Sequence, residues 1–268
     1  MPDIDRAFGR RAFGDDPSNY DAARPAYPDW VFERLRERCG LAPGAAVFEV
    51  GAGTGLATRR LLADGADPLV AIEPDARSAA FLRASTASPA LTVQTAPFEA
   101  AQLPAAGFDL GVSATAFHWL DEQPALAKVA EALKPGGWWA MVWNVFGDDA
   151  RADPFHAATS TLLNDGPRSP SHGGEANVPF ALNVNARLSA FGRIGAFEAI
   201  AHERTAWELV LDPDETVALY ATYSDMTARP REERREVLGE LHRIAAGPPF
   251  NGRVVRNMIT ILYTARRR

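Results

Sequence analysis

Short apolar runs alternate with amphipathic segments through the first half of the chain. The apolar runs predict strands at residues 45–50, 69–72, 91–95, 108–113 and 138–143. Apolar residues at helical spacing predict helices at 30–38, 56–63, 75–85 and 123–133. Strands that alternate with helices favour a parallel, doubly wound sheet with helices on both faces.

The pattern changes after Asn144. A helix is predicted at 153–164, a loop rich in Pro, Ser, Gly and His at 167–179, and a short helix at 187–191. Two further strands, at 199–211 and 253–265, enclose predicted helices at 214–223 and 231–245. We therefore divide one compact domain into an N-terminal lid and helix (1–44), a core (45–144), a helical cap insertion (145–190) and a C-terminal part of the sheet (191–268).

Composition narrows the classes of function. The 268 residues are 47% apolar, enough for a single α/β core, and the net charge of -6 disfavours a nucleic-acid partner. The single cysteine, Cys39, excludes an internal disulfide and suits a reducing cytoplasm. No apolar stretch approaches the ~20 residues of a membrane span. We expect a cytoplasmic protein with no membrane partner, and we leave its oligomeric state open.

A glycine-rich turn follows the first core strand. Gly51, Gly53 and Gly55 allow a ligand to touch the backbone, and the next helix offers free N–H groups. A dinucleotide-binding turn has the spacing G-x-G-x-x-G, but Leu56 occupies the third glycine position here. The turn therefore favours S-adenosylmethionine (SAM) over a nicotinamide cofactor.

A carboxylate ends the second core strand. Glu73 lies 22 residues beyond Gly51, where a carboxylate can accept hydrogen bonds from both ribose hydroxyls. The alternative is a carboxylate that stabilises the start of the helix near Asp75. Together with the turn, ribose binding is the favoured interpretation.

These residues carry a family resemblance. Glu49-x-Gly-x-Gly-x-Gly, Ile72-Glu73-Pro74, Phe108-Asp109-Leu110 and Leu133-Lys134-Pro135-Gly136-Gly137 resemble class I SAM-dependent methyltransferases. Residues 20–28 and Ala116-Phe117-His118-Trp119 are similar to the Y-x-x-x-R-P-x-Y-P and His-Trp signatures of a small-molecule subgroup with trans-aconitate methyltransferase-like relatives. The resemblance implies a Rossmann-like, mostly parallel seven-stranded sheet with an antiparallel last strand.

The resemblance also implies a set of cofactor-binding residues. The glycines would face the methionine part of SAM, Glu49 its ammonium, Glu73 its ribose, and Phe98 with Glu99 its adenine. Arg24 would pair with the cofactor carboxylate or form a surface ion pair. The full set is Tyr20, Arg24, Glu49, Gly51, Ala52, Gly53, Gly55, Glu73, Pro74, Phe98 and Glu99. Pro97 stands where many relatives have Asp or Ser, so a backbone group or Glu99 must supply the contact with the adenine amino group.

The acceptor is less well defined. His118 is a candidate general base, or a residue that orients the acceptor or braces the loop. The other acceptor residues that we predict are Tyr27, Trp119, Trp143 and Tyr223, with Tyr220, Met226 and the cap. No His or Cys spacing indicates a metal site.

We expect methylation of a small molecule and favour oxygen over nitrogen or carbon. The alternatives are a nicotinamide-dependent oxidoreductase and a non-catalytic SAM-binding regulatory protein. Residues 20–28 and 167–179 are predicted to act as lids.

Overall fold

The structure is a computed structural model that describes residues 3–12, 14–148, 150–172 and 178–268. Its seven strands all belong to one sheet. They are β1 (Ala45–Val50), β2 (Ala66–Ile72), β3 (Leu91–Gln94), β4 (Phe108–Ala114), β5 (Leu133–Phe146), β6 (Phe197–Leu211) and β7 (Val254–Arg267).

Eleven α-helices occur in the described residues. They are α1 (Arg6–Ala12), α2 (Pro17–Ala23), α3 (Asp29–Arg38), α4 (Leu56–Ala63), α5 (Ala76–Ser85), α6 (Glu122–Ala132), α7 (Pro154–Asn164), α8 (Val184–Ile194), α9 (Pro213–Ala221), α10 (Ser224–Thr227) and α11 (Arg231–Ala246). None of them is long and apolar enough to cross a membrane.

The sheet has the order β3-β2-β1-β4-β5-β7-β6. Strands β1 to β5 pair in parallel, and β7 runs antiparallel to both of its neighbours, β5 and β6. The expected Rossmann-like architecture, with only the last strand reversed, is confirmed. The order reverses between β1 and β4, which is where ligands bind in open α/β sheets.

Both faces of the sheet are covered, which explains the continuous apolar runs in β1 and β5. On one face, Phe48 and Trp139 are fully buried together with side chains from α6 and α8. On the other face, Val47 packs with Leu35 of α3 and Leu61 of α4. Strands that are buried on both faces read as apolar stretches without alternation.

The N-terminal segment contains two short helices that the apolar pattern does not predict. Residues 14–19 are rich in turn formers, yet the structure has α1 before them and α2 within them. Asp16 caps α2 by accepting a hydrogen bond from the Asn19 N–H, and Pro17 occupies the first turn. Asp and Pro are also preferred at helix starts, so this composition does not separate a turn from a short capped helix.

Residues 135–137, between the helix predicted at 123–133 and the strand predicted at 138–143, form an irregularity within β5. The register against β4 shifts between Phe108 and Leu110, and Gly136 has a positive φ of 80°. Strand β5 therefore starts at Leu133 rather than near Trp138.

The cap begins after β5 and is tied to the sheet by buried polar contacts. Arg187 of α8 pairs with Glu122 of α6 at 3.0 Å and lies 3.4 Å above the Phe180 ring. Tyr263 of β7 donates to the Ala181 carbonyl at 2.7 Å. The predicted lid at 167–179 is described only in part, and Gly173 and Gly174 lie outside the described residues.

Candidate cofactor and acceptor site

A cavity of about 660 Å³ opens at the carboxyl ends of β1, β2 and β4. The glycine turn, the end of β2 and the residues after β4 form its floor, and α1 and α2 cover it. Its walls consist of Arg10, Tyr20, Val50, Gly51, Gly53, Thr54, Ile72, Glu73, Pro74, Ser78, Phe98, Ala114, Thr115, Ala116, Trp119 and Leu120. Most of the predicted cofactor residues therefore lie around one space.

The glycine turn needs glycine for close approach as well as for conformation. Gly51 has a φ of 72°, and a side chain there would stand 2.3 Å from the Ala116 Cβ atom. Gly53 has a φ of 57°, and a side chain there would meet open space. The backbone at Gly53 is thus the part of the turn that a ligand can approach directly.

Glu73 is locked against this turn. Its two carboxylate oxygens accept hydrogen bonds from the Gly53 N–H and the Asp75 N–H, both at 2.8 Å. Burial raises the pKa of Glu73 to about 7. A carboxylate has about four acceptor positions, so two remain for a ligand in the cavity.

Glu49 lies behind the turn and outside the cavity wall. It is fully buried, accepts a hydrogen bond from Thr58 at 2.5 Å, and has its pKa raised to about 8 by burial. Its assigned contact with the cofactor ammonium stays a prediction.

Thr54 is a wall residue that sequence reasoning missed. Its side chain is buried, and its hydroxyl has no hydrogen-bond partner among the described residues. A buried hydroxyl without a partner is costly, so this group is suited to a ligand in the cavity. The sequence feature that could have identified Thr54 is its position between Gly53 and Gly55.

The predicted adenine residues are separated. Phe98 is buried on the cavity wall and lies parallel to Phe48, with ring centroids 6.5 Å apart. Glu99 is outside the wall and forms a two-pronged ion pair with Arg10, at 2.8 and 3.0 Å. Arg10 itself lines the cavity, and no pattern in the sequence marked it.

Arg10 and Gly9 of α1 form a contact that we call the latch. Two N–H groups of Arg10 donate to the Trp119 carbonyl at 2.8 and 3.1 Å. Gly9 rests against the Trp119 ring, where a side chain would stand 2.0 Å from a ring carbon. The latch therefore holds Trp119, which forms a wall of the cavity.

A second cavity of about 340 Å³ adjoins the first. Its walls consist of Tyr20, Arg24, Pro25, Tyr27, Leu56, Thr115, Asn144, Tyr223 and Met258. Tyr20 and Thr115 line both spaces. Tyr27 and Tyr223, two of the predicted acceptor residues, line this cavity, and their role stays a prediction. Asn144, Thr115 and Met258 also line it and were not among the predicted site residues.

Arg24 is held flat between aromatic rings of this second cavity. Its guanidinium lies 4.3 Å from the centroid of Tyr223 and 5.0 Å from that of Tyr20, and it donates to the Thr222 carbonyl at 3.1 Å. Its Nε atom is buried without a hydrogen-bond partner in the described structure. This geometry presents a cation in the second cavity, beside Tyr20, which lines both cavities.

His118 and Trp143 do not line either cavity. The His118 Nδ1 accepts a hydrogen bond from the Trp143 indole at 3.2 Å, and burial lowers the pKa of His118 to about 3. Tyr220 and Met226 are buried in the C-terminal helical cluster, and Tyr220 bonds to Arg256. The described cap residues 145–190 also contribute nothing to the two walls.

Comparisons with known proteins agree with this geometry. Residues 48–141 match the family model of a methyltransferase domain. The matched segment, which is similar to a methyltransferase domain, includes the glycine turn and Glu73. An uncharacterized methyltransferase of Mycobacterium tuberculosis is 28% identical over 242 residues, which cover 89% of this chain and 87% of the relative.

Solved structures show the same fold at low identity. One described as a type II methyltransferase from Anaeromyxobacter dehalogenans has a TM-score of 0.61 and 23% identity, covering 91% of this chain and 97% of its own. A Haemonchus contortus phosphoethanolamine N-methyltransferase, in complex with S-adenosylhomocysteine (SAH), has a TM-score of 0.59 and 12% identity, covering 96% and 60%.

Among the described residues, no group of three or more His, Cys, Asp and Glu side chains could hold a metal ion.

Proposed function

We propose that this protein transfers the methyl group of SAM to a small-molecule acceptor. The observation that carries the proposal is the junction of two spaces. The first cavity has the glycine turn and the buried carboxylate of Glu73 in its wall, and it adjoins a smaller cavity with aromatic walls. Small-molecule sites typically combine apolar walls with a few fixed polar groups.

The residues present fit the cofactor. The open space at Gly53 admits the methionine part, and the Thr54 hydroxyl is free of partners within the described residues. Glu73 would accept from the ribose hydroxyls, and Phe98 would face the adenine. When bound, the cofactor supplies a methyl group that its sulfonium already activates.

Arg24 would reach the cofactor carboxylate from the second cavity, beside Tyr20, which lines both cavities. No ion pair occupies this guanidinium in the described structure, unlike Arg10, Arg59 and Arg77. The alternative of an ordinary surface ion pair therefore has no partner to support it.

The second cavity would hold the acceptor. Its wall carries no carboxylate and no histidine. The described wall therefore has no strong general base. This favours an acceptor whose nucleophilic atom needs no deprotonation by the protein before it reacts. We continue to favour methylation at an oxygen atom.

His118 then acts as a brace rather than a base. Accepting a hydrogen bond at Nδ1 requires the neutral imidazole with its proton on Nε2, and the low pKa agrees with that state. Its ring lies among Trp119 and Phe180, with centroid separations of 5.3 and 6.2 Å. This packing supports the loop that carries the Trp119 wall.

Calorimetry and a transfer assay test the proposal together. SAM and SAH should each bind with one molecule per chain, and NAD and NADP should not bind. Labelled SAM should transfer its methyl group to a component of a deproteinised metabolite extract. Binding of NAD without SAM would support an oxidoreductase, and SAH binding without any transfer would support a non-catalytic regulatory protein.

A further inference from the structure

Thr115 occupies an unusual place in the molecule. It follows the last residue of β4 and lies at the junction of the two cavities, since it lines both of them. Its φ is 54°, in the left-handed region. A β-branched residue rarely adopts this conformation, and such outliers concentrate at functional sites.

Two contacts hold Thr115 in this conformation. Its backbone N–H donates to the Val142 carbonyl of β5 at 2.7 Å. Its hydroxyl shares a hydrogen bond of 2.7 Å with the Tyr27 hydroxyl. Glycine or asparagine would fit the backbone at lower cost, but neither would supply the hydroxyl that meets Tyr27.

Tyr27 is fixed from its own side by a chain of hydrogen bonds. The Asn144 amide donates to the carbonyls of Pro25 and Ala26, at 3.3 and 3.1 Å. Asn144 in turn accepts from Thr260 at 2.6 Å, and the Trp207 indole donates to Thr260 at 2.8 Å. This chain connects the edge strand β6 to the segment that carries Tyr27, so both members of the pair are positioned independently.

We propose that Thr115 and Tyr27 are positioning residues, whose hydroxyls hold the nucleophilic atom of the acceptor in line with the methyl group of SAM. The inference rests on the proposed function and names the part of the second cavity that performs it. One hydrogen bond inside the pair leaves one O–H group to donate and several lone pairs to accept. The pair can therefore grip an oxygen or nitrogen nucleophile.

The pair orients the acceptor without exchanging a proton. Burial raises the pKa of Tyr27 above its usual value, so both hydroxyls stay protonated near neutral pH. In the transfer, the nucleophile forms a bond to the methyl carbon while the departing sulfur keeps the electron pair of the broken bond. A proton carried by the acceptor leaves to solvent.

The first test separates orientation from cofactor binding. Thr115→Val keeps the side-chain shape but lacks the hydroxyl, Thr115→Ser keeps the hydroxyl, and Tyr27→Phe removes its partner. The readouts are SAH affinity by calorimetry and the initial rate of label transfer from saturating SAM into the deproteinised extract. We expect a loss of rate of roughly ten- to hundredfold for the valine and phenylalanine variants. Thr115→Ser should stay near the parent rate, and all three should bind SAH normally.

The second test concerns the strained backbone and needs no acceptor. Glycine normally destabilises a position relative to alanine, but the reverse holds where φ is positive. Thr115→Gly should therefore melt at a higher temperature than Thr115→Ala. A lower melting temperature for the glycine variant would overturn the argument from strain.

The outcomes of the rate assay are distinct. Parent-like transfer by Thr115→Val and Tyr27→Phe would refute this inference alone. A loss of SAH affinity that parallels the loss of rate would assign the pair to the cofactor site and would also refute it. No transfer by the SAH-binding parent protein would refute the proposed function, and this inference with it.

Discussion

Glu49 and Glu73 are the two carboxylates that burial affects most at this site. Burial raises their pKa values to about 8 and about 7, and a neighbouring acid contributes to each increase, Glu73 for Glu49 and Asp75 for Glu73. The uncomplexed protein therefore carries less negative charge near the glycine turn than its sequence suggests. A cationic ligand placed beside them would favour their ionised forms.

The first prediction concerns Glu73. Glu73→Ala removes the remaining acceptor positions for the ribose and releases the Gly53 N–H. Losing hydrogen bonds to a charged group costs about 1.5–3 kcal/mol, which is roughly a tenfold to hundredfold loss of SAH affinity. Calorimetry measures it. Glu240→Ala is the matched control because that carboxylate pairs with Arg243 on α11 and lines neither cavity. An unaffected Glu73→Ala variant would reduce Glu73 to a helix-start residue.

The second prediction concerns pH. Because binding of a cation lowers the pKa values of Glu49 and Glu73, SAM binding should release protons below about pH 8, and affinity should rise as pH increases towards that value. Calorimetry in buffers of different ionisation enthalpy measures the release. SAM binding to the Glu49→Gln variant should release fewer protons than binding to the parent protein. Equal heats in all buffers would contradict the prediction.

The same two pKa shifts determine whether the stability of the folded protein rises or falls with pH. Each folded-state pKa lies above the ordinary value of 4.5, so the folded protein binds protons more tightly than the unfolded chain. These two groups therefore lower stability as pH rises from about 4.5 to about 8. Glu49→Gln should reduce this pH dependence of the melting temperature in the protein without ligand.

At the residue scale, a site residue could be predicted when its role depends on residues close to it in the sequence. Gly51, Gly53 and Glu73 could be predicted because a ligand-binding turn needs those residues at fixed spacing within one βαβ unit. Arg10 and Thr115 could not be predicted, since their roles depend on contacts with Glu99, Trp119 and Tyr27 that are distant in sequence. Trp143 and His118 were placed at the right sheet edge, but their side chains turn towards each other.

At the element scale, segments whose apolar residues face buried layers could be predicted, and short segments with few apolar residues could not. Helix α4 and strand β1 have the predicted bounds because their apolar residues face buried layers. Helix α1 has seven residues and few apolar groups to anchor it. Isolated helices of that length are marginal in water, so its position depends on Arg10 and Gly9.

The third prediction concerns this latch. Arg10→Ala should accelerate both association and dissociation of SAH, because it removes four hydrogen bonds that hold α1 over the cavity. Stopped-flow fluorescence measures the rates. Arg6→Ala changes an exposed arginine of the same helix and should leave both rates unchanged. Unaltered rates for Arg10→Ala would show that α1 does not control access.

At the scale of the whole molecule, the N-terminal segment joins parts that are far apart in the chain. Asn19 and Arg24 donate to carbonyls of Ala218 and Thr222, at and just after the end of α9, and Asp21 pairs with Arg59 of α4 at 2.7 Å. Arg59 also donates to the Thr54 carbonyl in the glycine turn. Residues 17–28 thus contact α4, the sheet and the end of α9 at once, and Arg59 links them to the glycine turn.

The last prediction follows from this arrangement. Binding of SAH should order the segment that closes both cavities, so amides of residues 20–28 should exchange hydrogen more slowly in the complex. Amides in the middle of α11 provide the control, because that helix packs on α7 and α9 away from both cavity walls. Hydrogen exchange with mass spectrometry, with and without SAH, measures both regions in one experiment. If residues 20–28 exchange equally fast in both states while SAH is bound, the segment is a fixed wall rather than a lid, and the roles of Tyr20 and Arg24 in cofactor retention fail with it.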